Sequence, residues 1–170
     1  MVYYKLMKIL LIIILFITNS AYSQNSWNIE LFGGNAHNLP SKVTVKQDGY
    51  KDESKIAHWS TRPLDPAPYY SFRIGYWKNN TSIEIEMLHH KLHMENTDEI
   101  FNQYDSTFGF NFFFLNRGWK IYSWMKLRLG IGPVISHPVN RIRGQRYSND
   151  VVYKIVGIGA QGTVQFSQAL

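Results

Sequence analysis

A chain of 170 residues without cysteine has room for one domain of ordinary size and cannot be held together by disulfides. Its aromatic content of 15%, carried by 11 Tyr, 10 Phe and 5 Trp, together with alternating apolar and polar runs, favours a β protein over a helical one. The formal net charge of +6 is open to nucleic acid, an anionic lipid surface or no specific partner, and the export signal described next argues against nucleic acid.

Met1–Ser23 reads as that signal. Lys5 and Lys8 form a basic start, Ile9–Ile17 is an unbroken apolar run, and Ala21-Tyr22-Ser23 places small residues around a cleavage site before Gln24. The run is about half of the roughly 20 residues a spanning helix needs. No cysteine follows it to carry a lipid anchor. The expected folded domain is 24–170.

The rest of the chain alternates in short runs separated by turn-rich stretches. Trp27–Gly33 places Trp27, Ile29 and Leu31 on one face. Lys42–Gln47 and Ile56–Arg62 follow, and Leu64-Asp65-Pro66-Ala67-Pro68 then breaks the pattern, because closely spaced prolines withhold ladder hydrogen bonds. Tyr69–Met94 holds the clearest pair of runs. Tyr70, Phe72, Ile74 and Tyr76 oppose Ser71, Arg73, Gly75 and Trp77. After the polar turn Lys78-Asn79-Asn80-Thr81, Ile83, Ile85 and Met87 oppose Glu84 and Glu86. A hairpin closed there places Trp77 across from Ser82, Gly75 from Glu84 and Arg73 from Glu86.

Glu95–Asp105 reads as a loop. In Phe108–Leu115, Phe108, Phe110, Phe112 and Phe114 share the apolar face, and Asn116-Arg117-Gly118 reads as a turn. Tyr122–Ile135 sets Met125, Leu127, Leu129, Ile131 and Ile135 against Lys126, Arg128, Gly130 and Gly132. Pro138–Asp150 reads as a basic exposed loop, and Val152–Phe166 ends the pattern.

The runs are long enough to cross a bilayer as tilted strands of about 9–11 residues, with apolar positions outward and polar positions inward. Aromatics cluster at run ends, at Tyr69, Tyr70, Trp77, Trp119, Tyr122 and Trp124, where interfacial girdles fall. From Trp27 to Phe166 the pattern resembles the small bacterial outer-membrane β-barrel proteins of the OmpA and OmpX type. Tyr69-Tyr70-Ser71-Phe72-Arg73, Leu88-His89-His90-Lys91-Leu92 and Arg128-Leu129-Gly130-Ile131-Gly132 look like an uncharacterised branch of that class. The resemblance implies an all-β fold: an antiparallel up-and-down transmembrane barrel of about eight strands. It also implies a bacterial outer-membrane location, contact with outer-membrane lipid or lipopolysaccharide, and handling by the outer-membrane assembly machinery. Such chains usually finish on a terminal aromatic. This one ends Phe166-Ser167-Gln168-Ala169-Leu170, so either the ending is atypical or the chain stops before its last strands. The oligomeric state is left open.

Three sets of residues are candidates for function. Arg73, Glu84, Glu86, Lys126 and Arg128 form an inward charge network that fills a narrow lumen. Arg141, Arg143 and Arg146 are positioned for anionic lipid contacts. His58-Trp59-Ser60 places a histidine and a serine on one strand face, a pattern suited to acyl transfer when an acid orients the base. The H-x-S spacing is similar to that of the lipid A deacylase barrels, and the resemblance implies His58 as base and Ser60 as nucleophile, with the acid unassigned and Glu84 and Glu86 the residues considered for it. His89 and His90 fall on opposite strand faces, and His93 lies about 13 Å along the strand from His89, so no metal site is expected. No cofactor is expected, since no phosphate-binding glycine loop occurs. The leading expectation is a structural or surface-interaction protein of the outer membrane. The alternatives are a lipid A-modifying acyl hydrolase or transferase, and a secreted soluble β-sandwich or lipocalin-like binding protein with its apolar faces turned inward.

Overall fold

A computed structural model of the chain describes residues 25–63, 65, 68–148 and 153–168, so the expected signal segment Met1–Ser23 lies outside the described residues. Every regular element among them is a strand. In order they are β1 (Asn25–Gly33), β2 (Ser41–Val45), β3 (Glu53–Ala57), β4 (Trp59–Ser60), β5 (Tyr70–Lys78), β6 (Thr81–Met94), β7 (Phe101–Tyr122), β8 (Met125–Ser136), β9 (Val139–Ile142), β10 (Gln145–Ser148) and β11 (Lys154–Phe166).

The main wall is an antiparallel sheet in the order β1-β5-β6-β7-β8-β11. The β5–β6 hairpin closes through Asn79-Asn80, with Asn79 at φ 55, a left-handed conformation that asparagine tolerates. Its register sets Arg73 opposite Glu86 and Gly75 opposite Glu84. The wall curls strongly. In a flat sheet β1 and β8 would stand about 19 Å apart and β1 and β11 about 24 Å. Yet Glu30 of β1 lies 3.2 Å from Arg128 of β8 and 3.4 Å from Gln165 of β11. The face carrying Glu30 is therefore concave.

Closure into a barrel is not observed. Among the described residues β1 and β11 share no backbone ladder, and the wall has six long strands rather than eight. Two of the short runs counted toward eight strands lie outside the wall. Lys42–Gln47 gives β2, which pairs only with β3, and Ile56–Arg62 is split between β3 and the two-residue β4. Short turns and long excursions fall at opposite ends of the wall. Asn79-Asn80 and Ser123-Trp124 close the hairpins at one end, where Asn25 also pairs with Lys78 and Phe166 with Met125. The other end carries the long connections and an apolar core of Ala57, Met94, Phe101 and Ile142, flanked by Val43, Val45, Trp59, Ile100 and Tyr104.

Several local expectations are corrected. Asn116-Arg117-Gly118 is strand, not turn. Asn116 points inward and donates to Glu86, and at Gly118 a Cβ would meet the Ser82 hydroxyl, so these two positions face the interior, while Arg117 between them is exposed on the convex face. Phe114 is buried on the concave face opposite Glu86, while Phe113 and Leu115 face outward. Trp77, expected in a girdle, is buried inside, beneath Lys126 and Arg128 at 5.1 and 5.8 Å from its ring. Pro138–Asp150 contains the β9–β10 hairpin, turned by Arg143 and Gly144, both at positive φ. The stretch Glu95–Asp105 is a loop only as far as Ile100, because Phe101–Asp105 pairs with β9.

Candidate functional site

Alternation along the wall strands places every even-numbered charge of β1, β6 and β8 and the odd-numbered Arg73 of β5 on the concave face. There the register assembles three carboxylates and three cations. Arg73 holds Glu30 at 2.7 Å and Glu86 at 3.0 Å, and lies 3.6 Å from Glu84. Arg128 holds Glu84 at 2.5 Å and Glu30 at 3.2 Å, and Lys126 lies 3.5 Å from Glu30. The remaining lone pairs are also used. Ser71, Asn116 and Gln161 donate to Glu86, and Ser82 donates to Glu84. Arg128 is 1% exposed and Glu84 2%. Charges this deep persist only when matched and hydrogen-bonded, as these are. The arrangement balances three negative against three positive groups, leaves none of its carboxylates without a donor, and acts as a cross-strand lock. Glu30 was not among the residues singled out from the sequence. The signal for it was present, since in β1 it opposes the apolar Trp27, Ile29 and Leu31.

Ser60 lies elsewhere. It pairs with His93 of β6, seven positions along that strand from Glu86, or about 23 Å. Glu84 and Glu86 are committed to the concave network, so neither serves Ser60. The His58 side chain is exposed, and its hydrogen bonds are made by its backbone, which receives from Glu95 and donates to Asn96. Instead the register aligns Ser60 of β4, His93 of β6 and Asp105 of β7 in one row across three neighbouring strands. Trp59, Met94 and Tyr104, the residues next to them, pack in or against the loop-end core, so the row faces the other way. His93 Nδ1 is 3.6 Å from Asp105 Oδ1, and Asp105 Oδ2 accepts from Gln103 at 2.8 Å. Burial pushes the His93 imidazole below its usual value, against the opposing pull of Asp105. Ser60 donates to Glu95, whose carboxyl is held below the usual range first by that bond and then by Arg62, 3.1 Å away.

The three arginines of Pro138–Asp150 are dispersed over one hairpin. Arg143 lies 4.5 Å over the Tyr50 ring and donates to Gln47 and the Lys51 carbonyl, tying the hairpin to the β2–β3 connection. Arg141 and Arg146 are directly opposite one another, exposed, and make no ion pair among the described residues. His89 bonds Asn111 and stacks on Tyr70, and His90 bonds Asn38. Among the described residues no three His, Asp or Glu side chains are placed so that they could hold a metal ion.

Comparison with protein-family models, with curated proteins and with solved structures gives no match.

Proposed function

We propose that this chain is an outer-membrane β-sheet protein with a structural and surface-interaction role, its convex face in lipid and its concave face locked by the charge network. The single observation that carries the reading is the inverted polarity of the wall. The concave side buries Arg128, Glu84, Glu86 and Asn116, while the convex side exposes Ile85, Leu115, Leu129, Ile131 and Ile158 by 58–78% of their surface. A protein dissolved in water turns such faces the other way, and monomers rarely expose this many large apolar side chains on one face. The soluble sandwich or lipocalin-like alternative requires apolar faces inward, opposite to this pattern.

Other features support the same reading. Trp27 and Tyr76 contact each other at 5.4 Å, and Tyr122, Trp124 and Phe166 form a stack near the short-turn end, where an aromatic girdle belongs. A groove of about 430 Å³ on the convex side, lined by Ile83, Leu115, Leu129 and Ile131 with Arg117 standing between Ile83 and Leu129, suits an acyl chain with an anionic headgroup. Short turns at one end and long excursions at the other follow the arrangement of membrane barrels. The opposed Arg141 and Arg146 suit phosphate groups of a lipopolysaccharide layer. Lipid would leave the edge groups of β1 and β11 unsatisfied, so insertion requires hydrogen-bond partners along that seam.

The test is fluorescence quenching in bilayers of brominated lipid, using variants that retain one tryptophan. Trp124, on the convex side, is expected to be quenched, and Trp77, inside, to be protected. A protein that stays dispersed without detergent and shows no quenching at Trp124 would overturn the reading.

A further inference from the structure

We propose that Ser60, His93 and Asp105 form a second site, a serine–histidine–aspartate row at the loop end that cleaves carboxylic esters. The row arises from register alone. β4 continues the edge of β5 along β6, so Ser60 stands directly opposite His93, and on its other side His93 stands directly opposite Asp105. Residues paired in this way point to the same face with Cβ atoms about 4.5–5.5 Å apart.

Two further observations point to chemistry there. His93 is 6% exposed, yet neither ring nitrogen makes a hydrogen bond. A buried imidazole with no partner on either nitrogen is costly unless those atoms have another use. Its Nδ1 faces the carboxylate of Asp105 at 3.6 Å, the loose spacing common before substrate draws a catalytic pair together. The second is Arg62, two residues after Ser60, which holds φ 43, a left-handed conformation expensive for a side chain of this size. Lys91, 1% exposed, fixes that segment by donating to the carbonyls of Arg62 at 2.8 Å and Asp65 at 3.2 Å. The strained turn carries the Arg62 guanidinium to the same Glu95 oxygen that the Ser60 hydroxyl addresses.

The roles follow. Rotation about the Cα–Cβ bond of Ser60 takes its hydroxyl from Glu95 to His93 Nε2. Ser60 Oγ then bonds to the ester carbonyl carbon as its proton passes to Nε2. Asp105 holds the imidazolium at Nδ1, and Arg62 lies beside the developing oxyanion. Collapse breaks the bond from carbonyl carbon to alcohol oxygen, and the proton on Nε2 goes to the departing alkoxide. Water attacks the acyl-serine, gives a proton to His93, and the carboxylic acid leaves as the proton returns to Ser60 Oγ. Arg62, Lys91, Asp65 and Asp105 act electrostatically on His93, and Glu95 stands beside Ser60. The shared chemistry of the substrate is a carboxylic ester, either a small dissolved one or an acyl ester of a membrane lipid.

The experiment uses the full chain in detergent micelles, so its outcome does not depend on insertion into a bilayer. A fluorophosphonate probe, which marks only activated serines, is followed by peptide mass spectrometry. Labelling is expected at Ser60, absent in Ser60→Ala, and reduced about a hundredfold or more in His93→Gln, with Asp105→Asn also reduced and Glu95→Gln still labelled. Unchanged strand circular dichroism in His93→Gln shows that the loss is not unfolding. No labelling at Ser60 above the heat-denatured protein, or equal labelling in His93→Gln, would overturn the proposal, as would loss confined to Glu95→Gln. Release of acid from p-nitrophenyl butyrate against release from phospholipid vesicles then separates a dissolved ester from a membrane one.

Discussion

Arg128 shows how much a single side chain carries in this molecule. It is 1% exposed and holds Glu84, Glu30 and Gln165, which lie on three strands other than its own. Removing one member of such a set leaves its partners charged and buried, which costs about 3–5 kcal/mol, whereas removing a matched pair is much milder. Arg128→Met is therefore expected to destabilise the protein by that amount in urea unfolding, and Arg128→Met combined with Glu84→Gln to recover part of the loss. A single variant within about 1 kcal/mol of the parent would contradict the lock. The Arg73–Glu86 half of this set is readable from the sequence, because a two-residue turn fixes the β5–β6 register. The Glu30 half is not, because β1 reaches its partner β5 only after the excursion 34–69, and alternation gives a residue's face without giving its neighbour. The same limit explains His58. Spacing within one run pairs it with Ser60, but the pairing that matters runs across strands, to His93 and Asp105.

Whole elements were legible where one face is apolar and the other polar, as in β5, β6, β8 and β11. They were not where polar residues occupy both faces, as in Asn140-Arg141-Ile142, where Asn140 shares a face with Ile142 and Arg141 takes the other, and whose strand character comes from pairing with Phe101–Asp105 and from burial of Ile142. Gly132 shows close packing between elements. A Cβ there would lie 1.7 Å from the Phe113 carbonyl oxygen, a backbone atom that cannot swing aside, so β7 must move to admit any side chain. Gly132→Val is expected to abolish cooperative urea unfolding, while Gly157→Val, where the space is open, leaves it intact. The β3 connection is held differently. Asp98 accepts from Lys55 and from the amides of Ile100 and Phe101, and the Lys55 bond first, then the Phe101 amide, hold its carboxyl below the usual 3.8. A carboxyl lowered by folding stabilises fully above its unfolded value and loses that contribution as pH falls through the folded one. Emission from Trp59, as the only tryptophan, is expected to report loosening of the loop-end core below about pH 4. In Asp98→Asn the loosening should be present at neutral pH and the acid step reduced. An identical acid profile in both proteins would remove Asp98 from the account.

At the scale of the whole molecule, two polarities meet along one sheet. The loop end buries Ala57, Met94, Phe101 and Ile142 as a water-soluble domain would, and the wall beneath it buries charge and exposes isoleucine and leucine. On the membrane reading proposed above, water at one level and lipid at another favours each in its place. Depth then becomes measurable. Ile85 sits in the middle of the convex face of β6, and Ile121 on the same face of β7 beside the Ser123-Trp124 turn, 61% and 44% exposed. In a bilayer, arginine at the midplane costs about 2–4 kcal/mol and near the boundary about 0–1 kcal/mol. Ile85→Arg is therefore expected to lower stability in vesicles several-fold more than Ile121→Arg. If that face met water instead, neither change would bury a charge, and both variants would unfold with the parent. Equal, near-zero effects at the two depths would thus return the apolar face to water and take the membrane reading with it.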